Sequence, residues 1–126
     1  MLRPAAVWFA LLLAPAAQAF GHGCAGVAPE AAFACEQSRA DRALDALSHR
    51  YRTLWAGLSP HARAGFSAAE RRWLNGGRWD QHAGCVAAAS AGAPADVVAS
   101  RCLADVTLAH LASLPVVAGA RLAGQP

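Results

Sequence analysis

The sequence predicts an all-α fold: a small antiparallel helical bundle, with a short first helix and three longer ones, stapled by two disulfides. Three observations predict it. Leu44, Leu47, Tyr51, Leu54 and Leu58 recur at steps of 3, 4, 3 and 4, which places them on one helix face. Ser, Pro and Gly punctuate the chain where such helices start and stop. Four cysteines, Cys24, Cys35, Cys85 and Cys102, all follow a leader of the export type. No internal repeat and no convincing strand is present.

The elements follow in order. Arg3 supplies a basic start, residues 5–14 are apolar with Val7, Trp8, Phe9 and Leu11 to Leu13, and Ala17-Gln18-Ala19 is a small-x-small cleavage site. Residues 1–19 therefore read as a secretory signal peptide. The apolar run falls short of the roughly 20 residues needed to span a bilayer. Cys24 follows Gly21-His22-Gly23 and lacks the Leu of a lipobox, so no lipid anchor is expected. The domain is assigned to residues 20–115 and a flexible tail to residues 116–126.

Residues 20–28 hold three Gly and read as an irregular arm tied down at Cys24. Pro29 suits a first helical position and Glu30 favours the helix dipole, so a short helix is expected from Pro29 to about Cys35. Ser38 can cap a second helix over about 39–58, with Asp41 as its capping-box partner. Ser59 and Pro60 restart the chain as cap and first residue of a third helix. That helix carries Phe66, Ala69 and Trp73 in phase, and Gly76-Gly77 should loosen or end it. Residues 78–84 read as an irregular or partly helical loop. Pro94 and Asp96 open the last helix, whose apolar side is Val98, Cys102, Val106, Leu108, Leu111 and Leu114, and Pro115 ends it.

Export makes disulfides the default reading of the cysteines. Four cysteines allow three pairings. Short local loops favour Cys24–Cys35 and Cys85–Cys102, each contributing about 3 kcal/mol by restricting the unfolded chain. No Cys-x-x-Cys is present, and spacings of 11, 50 and 17 are not those of a zinc site, so no metal is expected. The chain has eleven Arg, no Lys and eight acidic residues, a formal net charge of +3. That balance is too weak and too dispersed to predict nucleic-acid binding.

The ordered set Cys24, Glu30, Cys35, Leu44-Asp45, Leu47, Tyr51, Arg72-Trp73-Leu74, Arg78, Cys85, Cys102-Leu103, Thr107 and Leu114 resembles the lysozyme-inhibitor LprI-like N-terminal domain family. The resemblance spans about residues 24–114 and marks the chain as a divergent member. The family usually carries Gln where this chain has Glu70, and tends to carry Arg where it has His110. The resemblance implies a small exported helical domain, with lysozyme inhibition known for the representative that gives the family its name.

No nucleophile elbow, phosphate-binding glycine loop or zinc-protease helix is found, so no catalytic residue, cofactor or enzymatic activity is expected. Asp41, Asp45 and His49 share a helix face at i, i+4 and i+8, and read as a solvated face rather than a metal or acid–base site. Trp73 reads as core. Trp79 falls outside the apolar stripe and beside Arg78, and aromatic and Arg residues are enriched at interface hot spots. Arg78, Trp79 and His82 are thus the candidate partner-binding residues. The expected function is an exported, periplasmic or secreted protein that binds a protein partner, with lysozyme the partner implied by the resemblance. Lysozyme chemistry uses two carboxylates in a cleft, and a cation-bearing loop could occlude it. The alternative is a non-inhibitory interaction module of the cell envelope.

Overall fold

A computed structural model describes residues 23–89 and 91–115. The predicted signal peptide at 1–19 and the predicted tail at 116–126 lie outside the described residues. Among those residues the only regular structure is helical. Helix α1 spans Pro29–Gly57. Helix α2 spans Pro60–Arg72. A π-helical turn, Trp73–Gly77, carries it without a break into α3, Arg78–Ala88. Helix α4 spans Ala95–Ser113. No described helix is long and apolar enough to cross a membrane.

The short helix expected at 29–35 and the long one at 39–58 are a single element. Ser38 does not cap anything. No Gly or Pro lies between Glu30 and Ala56 to interrupt the helix, and its inward face runs straight through the expected gap as Glu36, Arg39, Ala40 and Ala43. At 29 residues, α1 is about 43 Å long. Its length is used to grip α4. Ala40, Ala43 and Ala104 are all buried and let the two backbones come close.

Partner contacts fix the topology. Glu36 meets Arg101, Arg39 meets Asp105, and Tyr51 meets His110, so α1 and α4 run parallel. His82 meets Ala99 and Glu70 meets His110, so the rod formed by α2, the π turn and α3 runs antiparallel to both. The turn between α1 and α2 is only Leu58-Ser59. Ser59 is its device: the hydroxyl accepts a hydrogen bond from the Ala62 amide at 3.2 Å, and Pro60 opens the helix. The link to α4 bends at Gly92, whose φ of +102° favours glycine.

The π turn replaces the loop expected after Trp73. It keeps the rod facing its partner. His82 lies nine residues after Trp73, which a regular helix would turn to the opposite side, and the extra residue of the π turn brings it back. Gly77 serves close packing: a Cβ there would lie 3.3 Å from the Trp73 ring.

The core is small, built on Leu47, Trp73 and Val106, with Tyr51, Leu74, Leu111 and Leu114 packed around it. Both disulfides favoured by loop length are formed. Cys24–Cys35 ties the arm to α1, and Cys85–Cys102 ties α3 to α4. The arm lies over Arg39, so close that a Cβ on Gly23 would meet its Cδ at 3.0 Å.

Beneath the arm lies a charged cluster. Glu36 is 3% exposed and Arg39 is also buried. Glu36 Oε1 accepts from Arg101 Nε at 3.3 Å, and Glu36 Oε2 faces Arg39 Nε at 3.5 Å. Arg39 donates both terminal nitrogens to Asp105 Oδ1. Stranding a buried charge costs more than the intact pair contributes. Arg39→Ala should therefore lower unfolding stability by about 3 kcal/mol in denaturant titration. Replacing Arg39 and Glu36 together with Met and Leu should cost clearly less than Arg39→Ala alone.

Candidate functional site

Two surfaces flank the point where the three helices meet. At that point His110, from α4, stacks on Trp73 with 3.6 Å between ring centroids and an interplanar angle of 6°. Its Nε2 lies 2.9 Å from the Tyr51 hydroxyl and 3.1 Å from Glu70 Oε2. An Nε2–H shared between the two oxygens satisfies both. Phe66 closes the cluster, its ring edge-on to Tyr51 at 5.8 Å. Glu70 of α2 and His110 of α4 are thus each other's partners. Chemically the cluster is a brace: the imidazole is committed to two acceptors and covered by an indole.

The first flanking surface carries the three residues singled out from sequence. The chain places all of them together, on α3. The Arg78 guanidinium stands 4.8 Å from the Trp79 ring centroid, and the His82 ring meets Trp79 edge-on at 6.0 Å. Trp79 is 50% exposed. His82 is partly buried and lies 2.9 Å from the Ala99 carbonyl, to which its Nε2–H donates. These residues were expected on a protruding loop and stand instead on a helix that is stapled one turn later through Cys85. The π step is the reason: the helix does not stop at Gly76-Gly77, so the segment after it has no freedom to protrude.

The second surface was not found from sequence. Tyr51, Trp55, Phe66 and Leu74 line an open groove of about 550 Å³ between the end of α1 and α2. Arg63 holds its wall, donating from Nε to the Trp55 carbonyl at 3.0 Å while its guanidinium stands 5.3 Å from the Trp55 ring. Trp55 is 41% exposed. It sits four residues after Tyr51, a spacing that signals a shared face, but only the position of α2 turns that face into a groove. A smaller hollow of about 310 Å³ lies under the arm, walled by the balanced charges of Glu36, Arg39, Arg101 and Asp105.

Asp41, Asp45 and His49 are exposed along α1, and no group of three His, Cys, Asp or Glu among the described residues could hold a metal ion. No family model matches the chain, and no curated protein or solved structure matches it.

The brace is testable. Tyr51→Phe should cost about 1 kcal/mol of stability, the net worth of one hydrogen bond. His110→Ala should cost about 2 to 3 kcal/mol, because it removes the stack and leaves Glu70 without its donor. Denaturation of the single and double variants should show coupling between the two positions, since the Tyr51 hydroxyl bonds the His110 nitrogen directly.

Proposed function

We propose that this chain is an exported binding protein of the periplasm or extracellular space, and that it inhibits lysozyme-type muramidases by occluding their cleft. One observation carries the reading: a half-exposed Trp79 is clamped between Arg78 and His82 on a helix that cannot yield. A rigid aromatic anchor beside a cation loses little conformational freedom on binding, which is the economy that hot-spot residues exploit. Muramidase clefts hold two carboxylates. A helical ridge bearing Arg78 can present its guanidinium to them while the Trp79 ring excludes water and substrate. Export is supported by the two disulfides, which require an oxidising compartment, and by the leader-like residues 1–19.

The alternative is a non-inhibitory module of the cell envelope that uses the same ridge on another protein. Turnover of cell-wall substrate by several lysozymes, with and without the oxidised chain, separates the two. Saturable, stoichiometric inhibition is expected. Arg78→Ala with Trp79→Ala should weaken it at least tenfold, roughly the loss of one hot-spot anchor, with the circular dichroism spectrum unchanged. Full inhibition by that double variant would remove the ridge from the mechanism. No inhibition of any lysozyme type would transfer the reading to the envelope module.

A further inference from the structure

The groove at the end of α1 is independent of the Arg78–Trp79 ridge and has its own electrostatic character. Its walls are apolar: Tyr51 and Trp55 on one side, Phe66 and Leu74 on the other. Arg52 and Arg71 also line it, both exposed, and neither pairs with a carboxylate among the described residues. The one acid in the lining, Glu70, is turned to His110. An apolar floor beneath two exposed arginines that pair with no carboxylate among the described residues selects a ligand with an apolar body and an anionic end. The volume of about 550 Å³ lies within the range of small-molecule sites. The opening runs along the surface between two helices, a shape suited to a slim, extended body. The walls are fixed in advance, Tyr51 by His110 and Phe66, and Trp55 by Arg63.

We infer that this groove binds a free fatty acid, its single acyl chain against Tyr51, Trp55, Phe66 and Leu74 and its carboxylate met by Arg52 and Arg71. Charged side chains in water each add little, so the chain supplies most of the affinity and the arginines supply the choice of sign.

Calorimetric titration of the oxidised chain with laurate, below its micelle-forming concentration, should show saturable one-to-one binding. Dodecyltrimethylammonium, with the same chain and the opposite charge, should bind about tenfold more weakly, as two exposed cations allow. Arg52→Glu with Arg71→Glu should erase that preference. Both residues are exposed, so the double variant should retain the helical circular dichroism of the parent. Trp55→Ala should weaken both amphiphiles alike. Flotation with phosphatidylglycerol vesicles checks the occupant: the chain should stay in solution with them while it binds laurate. The inference is overturned by equal affinity for the two charges, by a preference that survives charge reversal, by no saturable binding to laurate, or by flotation with phosphatidylglycerol vesicles that is lost on charge reversal, which would assign the surface to a membrane. None of these results bears on muramidase inhibition, which the Arg78–Trp79 ridge carries.

Discussion

One imidazole joins the three helices. His110 comes from α4, lies flat on Trp73 at the start of the π turn, and meets Tyr51 of α1 and Glu70 of α2 through a single nitrogen. The apolar core around it is only a few side chains deep. A core of that size gives attraction with little direction. The stack and the shared proton supply the direction, because their geometry fails if any helix rotates or slides. The π turn follows from the same contact. Trp73 must face α4, and so must His82 and Cys85, and a regular helix cannot present all three on one face.

The parallel pair α1 and α4 has a second constraint at its other end. Alanine-lined faces pack closely but fit about equally well at neighbouring registers. The buried Glu36 and Arg39 do not, since each must find its partner on α4. Polar contacts at the two ends of α1 thus set a register that the small side chains between them leave open. The arm, bound through Cys24, lies against Arg39 at that charged end.

The sequence was most readable where one rule acted alone. The stripe predicted from Leu44 to Leu58 reappears except at Leu44, which is exposed, and the Ser59-Pro60 restart and the Pro94 start reappear too, because each depends on local propensity and periodicity. Both disulfides followed from loop length. The reading failed where tertiary partners overrode a local signal. Ser38 looked like a cap, but Glu36 and Arg39 beside it are held by α4, and the helix continues. Gly76-Gly77 looked like a stop, yet the pull of Trp73 and Cys85 toward one partner turned it into a π step. Of the site, the proximity of Arg78, Trp79 and His82 was legible, whereas its mounting on a helix was not. The groove depends on the placement of α2 beside Trp55, and no spacing within either helix encodes that.

The position of the two disulfides has a topological consequence. One lies wholly within the arm and α1, the other within the rod and α4. No covalent bond other than the two-residue turn Leu58-Ser59 connects those halves. If that turn straightens, α1 can leave its own bundle with its staple intact and settle on the α4 of a neighbouring molecule, remaking every contact it lost. Such an exchange, a three-dimensional swap of one helix, needs no thiol chemistry. In this fold oxidation secures each half against unravelling and leaves the identity of the partner half to non-covalent contacts alone.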